Sequence, residues 1–252
     1  MLAGMTPIII RTEEAVKQYF LRKGKGALTQ SIDLEVERKY WPHPADVVEI
    51  IEVKEYDDKT IQIYTDGSRN EQGVGSGVVI FSGKELVTKL KYKLDNRCSN
   101  IQAEQLAIAK ALEALESTDI EENSPHTAAI ITDSRISLDS IKNIKNHSFL
   151  IEEIRKTLFK LESSNWTVKF ILGNELADQL AKTAARDKDK TAYYSRIPLS
   201  MLFRELEEEL KLKWQHKWEE SPKTVLTKQF YPRKTDGLKS KIDITSKFTA
   251  MV

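Results

Sequence analysis

From Ile61 onward the hydrophobic period changes in a fixed order, and that order restricts the chain to a narrow set of folds. Ile61, Ile63 and Thr65 alternate with Gln62, Tyr64 and Asp66, the period of two that marks a strand. The turn-forming run Gly67-Ser68-Arg69-Asn70-Glu71-Gln72-Gly73 opens into a second strand over 74–81. Ser82-Gly83-Lys84 turns again, and 86–94 alternates once more, which predicts a three-stranded antiparallel meander. Ser99-Asn100-Ile101-Gln102 carries the capping-box pattern, so a helix is expected over about 100–116. The short apolar run 128–132 reads as a buried strand ending in Asp133-Ser134. Helical spacing follows at Leu138, Ile141 and Ile144, then at Ile151, Ile154, Leu158 and Leu161. Residues 166–172 form a last strand, and Gly173-Asn174 precedes a short helix with Leu176, Leu180 and Ala184 on one side. This order predicts an α/β fold: a mixed five-stranded sheet, three strands antiparallel and then two parallel, with helices packed on both faces.

Composition narrows the class further. With 252 residues, 40% of them apolar, and 39 basic against 38 acidic side chains, the chain is neither a disordered polyelectrolyte nor a membrane protein. No stretch reaches the 18 apolar residues of a membrane span, and the N-terminal residues lack the pattern of a targeting segment. The single cysteine, Cys98, excludes an internal disulfide framework and a thiol-rich zinc site. A soluble, intracellular protein is expected. A net charge of +1 gives no global nucleic-acid signature, so any such contact must be local.

The flanks differ from the centre. Residues 1–58 combine an amphipathic stretch around 13–21, a Gly24-Lys25-Gly26 break and the extended Trp41-Pro42-His43-Pro44, and read as a connection following an absent domain. Residues 59–190 form the predicted domain. Residues 191–252 begin with a helical pattern, Phe203, Leu206, Leu210, Trp214 and Trp218, with glutamates early and lysines late, as the helix dipole favours. Beyond Pro222 the chain turns polar and basic and is expected to be poorly ordered.

Four carboxylates stand where the pattern asks for something else. Glu104 fills the apolar face defined by Ile101, Ile108, Leu112 and Leu115 and is expected to point at the core, where an unpaired carboxylate needs a cation, a donor network or a ligand. Asp66 and Asp133 are expected to end the first and fourth strands, at one edge of the sheet where chemistry tends to sit. Asp178 lies near the start of the last helix, after the cap candidate Asn174. Each has a plainer reading: Asp66 as a turn residue, Asp133 as a helix cap, Glu104 in a structural ion pair, Asp178 as an ordinary acidic residue at a helix start. Converging, they would form a hard-oxygen site suited to Mg²⁺ or Mn²⁺ rather than Zn²⁺. Two ions about 3.5 to 4 Å apart would serve an in-line phosphodiester displacement.

Ile63-Tyr64-Thr65-Asp66-Gly67-Ser68, Ser99-Asn100-Ile101-Gln102-Ala103-Glu104, Ile131-Thr132-Asp133-Ser134 and Gly173-Asn174-Glu175-Leu176-Ala177-Asp178 together resemble the type-I ribonuclease H domain. More narrowly, the chain resembles the version in arthropod non-LTR, LINE-type retrotransposon polyproteins, where it follows the reverse transcriptase. The resemblance covers about residues 59–190. It implies a ribonuclease H-like sheet and a metal-dependent endonuclease that cuts the RNA strand of an RNA/DNA hybrid. Asp66, Glu104, Asp133 and Asp178 would be both catalytic residues and ligands of two Mg²⁺ or Mn²⁺ ions, with Asp66 shared. Asn100 and Gln102 would face the minor groove of the hybrid, where the 2′-hydroxyl distinguishes RNA from DNA. Ser68 and Ser134 would contact phosphate or sugar. The resemblance also implies the reverse transcriptase of the same polyprotein as a partner, no membrane association, and, by analogy, work in the nucleus after translation in the cytoplasm.

The chain departs from the family at one point. The loop of type His-x-Gly-x-x-Gly-Asn-Glu-x-x-Asp lacks its histidine and first glycine, because 166–172 runs straight into Gly173-Asn174. About eight residues are missing, and at roughly 3.3 Å per strand residue the strand must shorten or the last helix must shift. His147 offers no obvious substitute, and His43, His126 and His216 read as surface or linker residues. The alternatives to an active nuclease are a degenerate remnant that retains the fold without the chemistry, and a structural or nucleic-acid-binding module.

Overall fold

Two antiparallel pairings and three parallel ones build a six-stranded sheet in the order β1 (Ile51–Glu52), β6 (Trp166–Leu172), β5 (His126–Thr132), β2 (Ile61–Asn70), β3 (Gly73–Ser82), β4 (Glu85–Leu94). The computed structural model describes residues 7–23, 32–35, 49–55, 60–117, 126–173, 176–187 and 190–221. The Gly24–Gly26 break, the Trp41–Pro44 linker with His43, the cap candidate Asn174 and the basic tail lie outside them. The meander is β2 (Ile61–Asn70), β3 (Gly73–Ser82) and β4 (Glu85–Leu94), and the parallel strands are β5 (His126–Thr132) and β6 (Trp166–Leu172). A sixth strand, β1 (Ile51–Glu52), pairs parallel with β6. It was not expected, because two residues are too few to show a period. Its Glu52 pairs with Arg135 at 3.0 Å and with Lys142.

The strand β2 also overturns an expectation. Asp66 does not end it, and Gly67 is not in a turn. The strand runs on to Asn70, with Asp66 opposite Gly77 and Gly67 opposite Ser76, and the chain turns only at Glu71-Gln72. The glycine answers a tertiary demand: a Cβ at Gly67 would lie 2.7 Å from the Ala103 carbonyl carbon. Helix α2 (Asn100–Glu116) therefore lies directly on the strand, and Ser76 Oγ donates to the Ala103 carbonyl at 2.6 Å. The Ser99/Gln102 capping box is present as the sequence predicts. Ile101, however, is 39% exposed, so it does not belong to the buried face.

Helix α3 (Arg135–Lys142) ends before Ile144, which is exposed and outside it, so the expected periodicity stops one turn early. In α4 (Phe149–Ser163) Ile151, Ile154, Leu158 and Leu161 are all buried. They meet α2 and the sheet in the main core around Ile63, Val78, Ile108, Leu112, Ile130 and Phe170. The opposite face of the meander carries α5 (Asp178–Arg186). Added Cβ atoms at Gly75 and Gly77 would lie 2.6 and 2.7 Å from the Ala181 and Ala177 carbonyl oxygens. Small residues on both sides thus let the helix lie against the sheet. The buried face of α5 is Ala181, Ala184 and Ala185, and the expected Leu176 is exposed and precedes the helix.

The described residues fall into two compact units, one within Ile32–Met201 and the other made by α1 (Ile8–Arg22) with α6 (Leu199–Glu220) from Leu202 onward. In the second unit the helices run antiparallel, joined by Lys17–Glu209 at 2.9 Å and Lys213–Glu13, with Arg22 over the Phe203 ring at 5.3 Å. The buried stripe of α6 is Leu202, Leu206, Leu210, Trp214 and Trp218, so Leu202 takes the place given to Phe203.

Candidate metal centre

Parallel pairing sets the first two carboxylates level. Tyr64 on β2 pairs with Ile131 on β5, so Asp66 and Asp133, each two residues further on, stand side by side where the two strands part. Thr65 Oγ1 donates to the Ile131 carbonyl at 3.4 Å just beneath them. The sharp exit after Thr132 frees Asp133, because the cap of α3 is Ser134 rather than Asp133: its hydroxyl accepts from the Ser137 amide at 3.4 Å. Asp133 is exposed, whereas Asp66 is 6% exposed. Helix α2, pressed onto Gly67, brings Glu104 from above, 5% exposed.

One carboxylate oxygen of each of Asp66, Glu104 and Asp133 lies within 4.8 Å of the others. Glu104 Oε1 accepts from Asn100 Nδ2 at 3.5 Å, whereas its buried Oε2 has no hydrogen-bond partner among the described residues. Burial, then Asp66, then Asp133 push the Glu104 carboxyl up to about 9, against the Gly67 amide and Asn100. Burial, then Asp133 and Asp178 raise Asp66 to about 6, opposed by the Gly67 amide and Lys182. Burial first, and the acidic neighbours second, disfavour the charged carboxylates here, a situation that a bound cation would relieve. Three carboxylates, one with an orphaned oxygen and one facing solvent, with no cysteine or histidine in the group, fit a divalent cation of the magnesium class.

Asp178 opens α5 but stands outside that group. Its Oδ2 accepts from Lys182 Nζ, one turn on, at 2.6 Å, yet its charge is felt at Asp66. Despite the shortened loop, β6 keeps its seven residues. Asn100 is exposed at the start of α2 and reaches toward the cluster. Ser68 follows Asp66 along the same face of β2 and is buried. Gln102 is turned inward: its Oε1 accepts from the Ser99 amide at 2.9 Å, and its Nε2 donates to Glu35 at 2.7 Å and to the Arg196 carbonyl at 3.0 Å. His147 is buried against Glu152 at 3.0 Å, His126 begins β5 against the Trp166 ring rather than lying in a linker, and His216 is exposed beside Glu220.

Sequence reasoning missed several supporting residues. Glu35, which burial pushes above the usual carboxylate range, belongs to a short segment bridged to Ile197, and the Tyr194 hydroxyl also donates to it at 3.4 Å. Nothing local marks that long-range pairing. Lys182 carried a readable signal, since it lies four residues from Asp178 on one helix.

A family model described as RNase H matches residues 58–186. No curated protein matches the chain. Among solved structures, the RNase H1 of Halobacterium salinarum is 22% identical over 50% of this chain and 96% of its own, with a TM-score of 0.39. An RNase H1 isolated from compost is 24% identical over 50% and 96%, with a TM-score of 0.42. A prototype foamy virus protease-reverse transcriptase is 21% identical over 53% of this chain and 22% of its own, with a TM-score of 0.40.

Proposed function

Because the chain belongs to the RNase H family, we propose that it hydrolyses the RNA strand of RNA/DNA hybrids at the carboxylate cluster, with Mg²⁺ or Mn²⁺ as the cofactor. The observation that carries this reading is that Glu104, grouped with Asp66 and Asp133, is buried with its Oε2 unpartnered among the described residues. Asp66, Glu104 and Asp133 would hold two ions, with Asp66 shared and Asp178 as a further ligand. Bound divalent ions supply a nucleophilic water at neutral pH and balance charge on the leaving oxygen.

The chain's own residues do the rest. Gly67 lets α2 come close enough to set Glu104 over the strand. Asn100 is exposed beside the cluster, where its amide can meet the 2′-hydroxyl in the minor groove. Ser68 and Ser134 flank the two aspartates as phosphate or sugar contacts, and Gln102 supports the same surface from within by holding the helix start. No described helix is long and apolar enough to cross a membrane.

The same proposal assigns the chain to a LINE-type retrotransposon polyprotein of an arthropod. Residues 1–58 would then be the connection after a reverse transcriptase, 59–190 the nuclease and 191–252 its extension, with the polymerase as partner and the nucleus as the place of work. Incubation with labelled hybrid and Mg²⁺ tests the activity. Cleavage of the RNA strand that an Asp66→Asn chain lacks is expected, and equal traces from both chains contradict it. The pairing of Asp178 with Lys182 rather than with the triad favours one other reading, a module that binds hybrid without cutting it. Retained hybrid binding with no cleavage in either ion would select that reading.

A further inference from the structure

We infer that Lys182 is a positioning residue that holds Asp178 away from the carboxylate cluster until a divalent ion draws it in. The inference rests on the metal-site reading above and concerns how the fourth carboxylate joins it. Asp178 and Lys182 lie one turn apart on α5, and their pair measures 2.6 Å between Nζ and Oδ2. The helix itself cannot easily adjust, because Ala177 and Ala181 lie against the Gly75-x-Gly77 backbone of β3, where an added Cβ would already be too close. Approach of Asp178 to the cluster then comes from side-chain rotation, which carries Oδ2 off the Lys182 ammonium.

Three observations make that rotation meaningful. Asp66, Glu104 and Asp133 converge without Asp178, so the fourth carboxylate is the one that differs in its partner. Asp66 pairs across the ladder with Gly77, and a Cβ on Gly77 would lie 2.7 Å from the Ala177 carbonyl oxygen, which places the start of α5, where Asp178 stands, beside Asp66. Both side chains are also substantially exposed, 42% for Asp178 and 50% for Lys182, so the pair is weak enough to exchange. In the absence of an ion, Lys182 is the partner of Asp178 and offsets part of its negative charge. With an ion present, Asp178 changes partner, and the freed ammonium faces the site, where a phosphate oxygen of the hybrid would meet it.

The test is calorimetric titration of Mn²⁺ alone into the full chain and into Lys182→Gln, Lys182→Arg, Asp178→Asn and the Lys182→Gln/Asp178→Asn double variant. An exposed ion pair is worth little, so its removal is expected to tighten Mn²⁺ binding by about two- to five-fold in Lys182→Gln. Lys182→Arg keeps the pair and is expected to bind like the parent. In the Asp178→Asn background the same Lys182→Gln change is expected to fall below about two-fold, because no pair remains to break. Unchanged or weaker binding by Lys182→Gln, or an equal gain with and without Asp178, overturns the inference while leaving the metal site intact. No Mn²⁺ uptake by any chain overturns the metal site and this inference together.

Discussion

Glu104→Gln should make the ion-free protein more stable at neutral pH while removing its capacity to take up an ion. The Glu104 carboxyl is raised from 4.5 to about 9 by burial and by Asp66 and Asp133. A carboxyl whose folded value lies above its unfolded value gives its full support below the unfolded value and loses it as pH rises toward the folded one. At pH 7, about 2.5 units above the unfolded value, the wild-type chain is destabilised by about 3 kcal/mol relative to acid conditions. Glutamine has nearly the same shape and no charge, so that cost disappears. Urea unfolding with a chelator at pH 5, 7 and 8.5 measures it: wild type should weaken steadily with pH, whereas Glu104→Gln should lose only the roughly 1 kcal/mol that Asp66, raised to about 6, gives up between pH 5 and 7, stay nearly level above that, and exceed wild type at pH 7. Mg²⁺ at about 100 times its dissociation constant should then return about 2.7 kcal/mol to wild type alone. A Glu104→Gln chain less stable than wild type at pH 7 in chelator refutes the reasoning, because it would mean that the carboxylate has a native partner worth more than its burial.

Ion uptake should also release a proton, since burial, Asp66 and Asp133 raise the Glu104 carboxyl to about 9 in the ion-free chain and a ligating carboxylate must be ionised. Mn²⁺ titration heats at pH 7 in buffers of different ionisation enthalpy should therefore differ, and heats independent of buffer contradict this. Gly67→Ala places a methyl group against the α2 backbone. It should cost about 1–3 kcal/mol by overpacking and weaken Mn²⁺ binding, whereas unchanged affinity would show that Glu104 is positioned by something else. Ser99→Ala removes the capping box of α2 and should cost about 1 kcal/mol in denaturant unfolding.

Features set by local chemistry were legible in the sequence. The meander, the Ser99/Gln102 cap and the burial of Glu104 each depend on residues a few positions apart, and each is present. Features set by approach of distant segments were not. Gly67 looks like a turn residue because turns and close contacts both select glycine, and only the position of α2 distinguishes them. The helix α5 packs through alanine on glycine, a pairing without the large apolar side chains that mark a helical face, so the spacing points to Leu176, which lies exposed before the helix. Ile101 and Ile144 satisfied the helical spacing yet are exposed, since periodicity marks a stripe but not where it ends. The order Asp66, Glu104, Asp133 could be read from the chain. Their gathering within one group depends on parallel register between β2 and β5, which no local pattern encodes.

The central claim is that three carboxylates gather to capture a divalent ion. Anomalous diffraction from crystals of the full chain grown with Mn²⁺ tests it most directly. The account predicts a manganese peak with an oxygen of each of Asp66, Glu104 and Asp133 at about 2.0–2.6 Å, the range of hard divalent cations. At saturating Mn²⁺, an empty cluster with manganese bound only elsewhere would contradict it.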